Sequence, residues 1–340
     1  MRQGCEAMNQ RLEGGERALA KLSLTVLPAA KLPLPLLCSA VLAVGAALGC
    51  DGDPRVPDGE HFKGVEMIDN MEDGQQYILS DDGRIGLWYT YNDASPSGTQ
   101  EPSLGFPMYR TRRPNGAPDP ASQVIARECG GGPDNLFAGE ESCTFVARTW
   151  GTGQRGWGAG MGVDLNGEGG IKNPVDASKF GGIGFFAIGS IRPGTPQAGT
   201  LRVNAQDVRT TPESSAAADR RGITRCESYL PNGMATGRCN DHYGFPVSNI
   251  VPNEWRWFEI PFHCMASGTW GYPGAATSGG QPSDNVLLRS AIVGIQFQIP
   301  GADPTDTGAT GGMVLPFDFS IDNLSFLDTS VVNDDTKCPM

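Results

Sequence analysis

The chain has 340 residues, with 26 Lys and Arg against 38 Asp and Glu, a formal net charge of −12. Gly (47) and Pro (26) supply 73 of them, too many for long helices. A chain this acidic is repelled by nucleic acid and by anionic headgroups, and suits neutral ligands and divalent cations.

Residues 1–49 read as the signal peptide of an exported lipoprotein. The apolar run Leu32 to Leu48 follows Lys21 and Lys31 and ends in Ala46-Ala47-Leu48-Gly49-Cys50. Small residues before a cysteine place cleavage ahead of Cys50, which would carry the lipid. A secreted protein cut nearby is the alternative. A retained membrane helix fits less well, because the run is short and broken by Pro33 and Pro35. Residues 50–63 are polar and form the lipid anchor and its tether. Removing the leader takes away five basic and three acidic residues and leaves 21 against 35, a net −14. The expected location is the cell envelope, with the choice of membrane open.

Six cysteines follow Cys50: Cys129, Cys143, Cys226, Cys239, Cys264 and Cys338. An even number in an exported chain reads as disulfides, with about fifteen pairings open to six cysteines. Proximity favours Cys129–Cys143 and Cys226–Cys239. Cys264–Cys338 is then left, tying a tail over 329–340 to the body. The rival is a zinc site of Cys239, His242, His263 and Cys264.

The mature chain reads as strands separated by turn residues. The runs are Ile85 to Tyr91, Ser142 to Thr149, Gly158 to Leu165, Gly182 to Ile188, Thr200 to Val208, Glu254 to Phe262, Ser290 to Ile299 and Pro316 to Phe326. The expected fold class is all-β, a two-sheet antiparallel β-sandwich over 64–328. Its loops are long: Asn92 to Ser122, Thr210 to Arg225 and Pro273 to Asn285.

Two segments stand out. Met67-Ile68-Asp69-Asn70-Met71-Glu72-Asp73-Gly74 opens the domain, and Phe317-Asp318-Phe319-Ser320-Ile321-Asp322-Asn323-Leu324-Ser325-Phe326 closes it. Each alternates apolar and polar residues, with acids at polar positions. First and last strands that meet would gather Asp69, Glu72 and Asp322, with Asp73 in reserve, into an oxygen-rich site for a hard cation.

Alternation also sorts a candidate ligand face. Leu201, Val203 and Ala205 point to the core, and Arg202, Asn204 and Gln206 away. Ile295, Phe297 and Ile299 oppose Gln296 and Gln298. Gly160, Gly162 and Asp164 oppose Met161, Val163 and Leu165. In Leu87 to Asn92 the inward set is Leu87, Tyr89 and Tyr91, which leaves Trp88, Thr90 and Asn92 outward. Outward amides are either a solvated sheet face or the floor of a cleft for an uncharged polar ligand. Sugar hydroxyls need such amides, and a pyranose face stacks on aromatic rings. The candidates are Trp88 and Trp157 as platforms, Asn92, Arg202, Asn204, Gln206, Gln296 and Gln298 as hydrogen-bonding groups, and Asp241, His242 and Tyr243 as one rim. Trp255 and Trp257 are expected in the core.

Motifs for catalysis are missing. The chain has no Gly-x-Ser-x-Gly, no phosphate loop and no His-Glu-x-x-His. A glycoside hydrolase or polysaccharide lyase would need two facing carboxylates. Glu140, Glu141, Asp164, Asp207 and Asp241 are conceivable members, and no spacing selects a pair. A third class is a structural or protein-binding surface lipoprotein.

The order of motifs resembles family 11 carbohydrate-binding modules and their galactose-binding-like jelly-roll relatives. The likeness starts with Ile68-Asp69-Asn70-Met71-Glu72-Asp73-Gly74. It continues through Val175 to Gly189, Leu201 to Asp207, Trp255 to Phe262, Val293 to Gln298 and Ser320 to Phe326. The resemblance implies a jelly roll with a ligand cleft on its concave sheet, a structural calcium near the chain ends and no catalysis. The implied partner is a neutral polysaccharide or oligosaccharide. The long cysteine-bearing loops and the lack of an attached glycosidase depart from the family pattern.

Overall fold

Strand formation follows the alternating runs, whose inward side chains meet in a shared core. The computed structural model describes residues 62–339 apart from 80–83, 97, 104, 114–116, 120–121, 123, 131, 133–135, 138–139, 141–142, 169, 194–197, 213–225, 227–238, 268–285 and 302–315. The leader, Cys50 and most of the expected loops Thr210 to Arg225 and Pro273 to Asn285 therefore lie outside the described residues.

One sheet holds β1 (Val65–Asp69), β3 (Thr99–Glu101), β4 (Met108–Arg110), β5 (Phe145–Thr152), β9 (Phe180–Ile191), β12 (Arg256–Pro261) and β14 (Phe317–Asp328). The other runs β11 (Tyr243–Val247), β10 (Leu201–Asp207), β13 (Ile292–Ile299), β6 (Ala159–Asp164) and β2 (Trp88–Asn92). A small hairpin pairs β7 (Gly167–Glu168) with β8 (Ile171–Lys172). Every pairing between strands is antiparallel, and the two sheets form a sandwich of jelly-roll type.

All eight expected interior runs form strands, with ends shifted by a few residues. The opening segment supplies β1, which pairs with β14 in register Val65↔Leu327. The expected loop Asn92 to Ser122 instead contains β3 and β4, both laid against β5. The segment after Cys239 becomes β11, whose Gly244 and Pro246 interrupt the apolar pattern.

The core lies between the sheets. Phe297 stacks on Trp88 at 6.1 Å and takes Phe185 of the opposite sheet edge-on at 5.1 Å. Phe180 stacks on Phe326 at 4.7 Å. Burying each such ring contributes about 1.5–3 kcal/mol.

Two strands take the opposite phase to the expected one. Trp88 is 1% exposed and points inward, not outward. Its indole N–H donates to Asp69 Oδ2 at 2.6 Å, so the largest apolar surface and its one polar atom are both satisfied inside. Thr90 and Asn92 follow it inward, where Thr90 donates to the Pro102 carbonyl (2.9 Å) and Asn92 to Gln100 Oε1 (3.0 Å). In β12 it is Ile260 that lies in the core, with Phe258 packed against it. Trp257 is on the outer side against Phe137 and Phe186, each at 5.0 Å, and Trp255 is half-buried with its N–H on the Ile125 carbonyl.

The disulfides join Cys129–Cys143, Cys226–Cys239 and Cys264–Cys338. Cys239 and Cys264 thus hold no thiol, which removes the zinc alternative.

Candidate functional site

Strand register builds the site. On the free face of the five-stranded sheet, antiparallel pairing sets one row as Tyr91, Gly160, Gln298, Arg202 and Pro246. The next is Tyr89, Gly162, Gln296, Asn204 and Gly244, and a third holds Asp164, Gly294 and Gln206. Five strands at sheet spacing span roughly 19 Å. This face lines a cleft of about 790 Å³, walled at one end by Trp157 and at the other by Asp241 and His242.

The glycines let the tyrosines lie on the sheet. A Cβ at Gly162 would sit 2.7 Å from the Tyr89 hydroxyl, and one at Gly160 would sit 2.9 Å from that of Tyr91. Tyr91 stacks on Trp157 at 5.7 Å and 25°, while Trp157 stays 52% exposed at the cleft mouth. The Tyr91 hydroxyl is buried without a hydrogen-bond partner among the described residues. An unsatisfied buried hydroxyl costs about 1–3 kcal/mol. Burial, and then Tyr89, push the Tyr91 phenol well above the ordinary value.

Two cations set the polarity of the floor. Arg202 Nε donates to Asn204 Oδ1 at 2.8 Å, Asn204 donates to Gln298 Oε1 at 3.0 Å, and Gln298 donates to the Trp157 carbonyl at 2.8 Å. A guanidinium only donates, so each amide orientation follows from it. Lys172 Nζ donates to Tyr89 Oη (3.2 Å) and Gln206 Oε1 (3.0 Å) and pairs with Asp164 at 2.8 Å. Gln206 Nε2 must then donate to His242 Nε2 at 2.9 Å, which leaves Nδ1 protonated and donating to Thr210 Oγ1 at 2.8 Å. Thr210 passes its own proton on to the Asp207 carbonyl.

Burial works against the Lys172 charge, but Tyr89 and Asp164 outweigh it and hold the ammonium above its ordinary value. Burial lowers the Arg202 guanidinium, and Asp241 partly restores it. Burial, with the charges of Lys172 and Arg202, takes His242 down to about 3. His242 is thus a neutral spacer and not a proton carrier near neutral pH.

Of the expected ligand residues, Trp157, Arg202, Asn204, Gln206, Asp241, His242, Gln296 and Gln298 come together on this cleft. Trp88, Asn92 and Tyr243 do not. Trp88 and Asn92 face inward, and Tyr243 is fully buried in the core beneath Arg209. Tyr89, Tyr91 and Lys172 were not anticipated. Tyr-x-Tyr opposite Gly-x-Gly was a usable signal for the first two.

The acidic corner does form where β1 meets β14, but its carboxylates hold backbone and an arginine. Asp69 Oδ1 accepts the N–H of Met71, whose φ of 61° is left-handed. Asp322 Oδ1 accepts the N–H of Asn323, at φ 50°. Glu72 accepts from Thr144 (2.7 Å) and Phe145 (3.1 Å). Arg127 Nε donates to Asp322 Oδ2 at 2.6 Å, its Nη2 pairs with Glu140, and its guanidinium lies 4.6 Å over Phe186. Burial opposes the Arg127 charge, but Asp322 and Glu140 hold its pKa above the ordinary range. Burial likewise raises Asp69 to about 7, against the hydrogen bonds from Met71 and Trp88. Among the described residues, Asp69, Glu72 and Asp322 do not bring one oxygen each into a common coordination sphere. The donor set does not fit calcium, because a fixed cation and backbone amides already use it.

These observations define an all-β sandwich with an aromatic and amide-lined cleft on one sheet. The chain is similar to a family 11 carbohydrate-binding module of the cellulosomal cellulase Lic26A-Cel5E of Clostridium thermocellum, with 14% identity, 78% of this chain and 95% of that one covered, and a TM-score of 0.37. It is similar to a family 11 module from Clostridium thermocellum in complex with a β-1,3-1,4-mixed-linked tetrasaccharide, at 12% identity over 75% and 95% with a TM-score of 0.35. It is also similar to an exo-β-agarase, at 11% identity over 77% of this chain and 25% of that one, with a TM-score of 0.33. No family model and no curated protein matches the chain.

Proposed function

We propose that the chain binds an oligosaccharide or polysaccharide reversibly and without turnover, as an exported lipoprotein anchored through Cys50. The observation that carries the reading is the cleft floor. Amides from β10 and β13 sit beside Tyr89, Tyr91 and an exposed Trp157 on a glycine-smoothed sheet. Flat rings beside fixed amides suit uncharged pyranose units, whose C–H faces stack and whose hydroxyls bond. Asp241 lines the cleft, and Asp164 of the same sheet face is held by Lys172 at 2.8 Å. His242 is held neutral with both ring nitrogens engaged.

Calorimetry of the purified chain against glycan-array hits tests the reading. Trp157→Ala is expected to weaken binding by about 1–3 kcal/mol, as removal of an aromatic anchor does. Gln296→Ala is expected to cost about 1 kcal/mol. Folded variants that bind like the parent would place the ligand elsewhere, and release of reducing sugar by the parent would move the protein to the enzymes.

Anchoring has its own test. Cys50→Ser is expected to shift the protein from the detergent phase to the aqueous phase on partition. Persistence in the detergent phase would rule out the lipid on Cys50.

A further inference from the structure

Trp157 is 52% exposed at the cleft mouth, so packing in the core does not fix its ring. The backbone around it is fixed instead. Asp93 Oδ2 accepts the N–H of Gly156 at 2.6 Å and that of Gly158 at 3.0 Å, one on each side of the tryptophan. The Asp93 N–H donates to the Gly158 carbonyl at 2.9 Å, and Gln298 Nε2 donates to the Trp157 carbonyl at 2.8 Å. The peptide that follows Trp157 is therefore held at both its oxygen and its nitrogen. Gly158 adopts φ 108°, and a Cβ there would sit 1.9 Å from the Ile299 carbonyl oxygen, so the turn closes directly on the end of β13.

The carboxylate is itself held in place. Its Oδ1 accepts the Ser95 N–H at 3.0 Å, and Ser95 Oγ accepts the Arg155 N–H at 2.9 Å. Between them Ala94 takes φ 52°, a left-handed conformation that residues with a Cβ rarely adopt. Asn92 Oδ1 steadies it by accepting the Ala94 N–H at 2.9 Å. Burial works to raise the Asp93 pKa, but hydrogen bonds from Ser95, Gly158 and Gly156 hold it below the ordinary carboxylate value. An ionised carboxylate accepts on both oxygens, whereas an amide offers one acceptor and one donor. Backbone N–H groups that converge on both oxygens thus call for a carboxylate.

We propose that Asp93 is the positioning residue of the aromatic platform: its carboxylate orders Trp157 over Tyr91 in the free protein, so that a sugar ring meets a surface already in place. The inference rests on the carbohydrate reading above. Asp93 is not among the residues that line the cleft, so it acts through Trp157 and not by touching the sugar. Ordering a side chain in advance removes that cost from the binding step.

The first test needs no glycan. Fluorine NMR of the full chain labelled with fluorotryptophan reports its six tryptophans, and the Trp157 line is the one lost in Trp157→Phe. Asp93→Asn is expected to broaden that line or move it toward the position of a solvated indole, while the other lines hold. The second test is calorimetry with soluble cello- and galacto-oligosaccharides and array glycans. Asp93→Asn is expected to bind about 3–10-fold more weakly, the scale of ordering one side chain. The same substitution added to Trp157→Ala should weaken binding no further, a result that a general loss of stability would not produce. Urea unfolding checks that each variant is folded, and Ser95→Ala, a milder cut in the same clamp, gives the same comparison if Asp93→Asn is not. An unchanged Trp157 line, unchanged affinity, or a loss of affinity that persists in the Trp157→Ala background would overturn the inference and leave the carbohydrate reading standing. A folded parent that binds none of the oligosaccharides and no array glycan would overturn both.

Discussion

Replacing Arg127 by alanine is expected to lower the stability of the domain by about 3–5 kcal/mol, the cost of removing one partner from a buried ion pair. The Arg127 side chain is 3% exposed and those of Glu140 and Asp322 are 3% and 0% exposed. Without the guanidinium, two carboxylates lose their counter-ion inside the protein, and the Phe186 ring loses the cation over its face. The Cys129–Cys143 disulfide brackets the loop that brings Glu140 to the corner, so the loop stays tethered in the variant and the defect is local. Urea unfolding of the variant measures the loss. Chelation of the parent is the companion experiment. With Arg127 supplying the positive charge, removal of calcium is expected to leave the melting temperature unchanged. A clear fall on chelation, together with a silent Arg127→Ala, would mean that a metal and not the arginine holds the strand ends.

How much of this was legible in the sequence depends on how different the two faces of each strand are. Leu201, Val203 and Ala205 against Arg202, Asn204 and Gln206 leave one choice of phase, and the same holds for Ile295 to Ile299. These two strands place five floor residues. Leu87 to Asn92 carries large rings on both faces, so its phase is decided by a partner far along the chain. Asp69 receives the Trp88 indole from 19 residues away, and no local pattern encodes that. Trp257 is drawn outward in the same way by Phe137 and Phe186. Lys172 sits on a two-residue strand, too short for periodicity to mark. The acidic corner was visible as composition, and its cation was not, because Arg127 and Asp322 are 195 residues apart. The two short-range disulfides, with separations of 14 and 13, follow from proximity alone.

Acid is expected to weaken the fold through His242, whose ring is buried at the end of the cleft. Gln206 donates to Nε2 and Nδ1–H donates to Thr210, an arrangement that only the neutral ring can satisfy. Burial, then the Lys172 and Arg202 charges, lower its pKa from 6.5 to about 3. The unfolded chain binds the proton across that interval and the folded chain does not. Stability from this group is therefore complete above 6.5 and is lost as pH falls toward 3. A shift of this size corresponds to on the order of 5 kcal/mol. Asp69 works in the opposite sense. Burial raises it to about 7, so the folded chain takes that proton first as pH falls, which adds stability down to 3.8. Comparing the parent with His242→Gln removes the Asp69 contribution, which both proteins share. Glutamine keeps an uncharged polar group but cannot be protonated. Near neutral pH the variant is expected to be less stable by about 1–2 kcal/mol, from imperfect hydrogen bonds. As pH falls through the interval the gap should close and then reverse, because the parent alone carries the cost of a buried imidazole. Urea unfolding curves at several pH values measure both proteins. Parallel losses in the two would show that some group other than His242 governs the acid response.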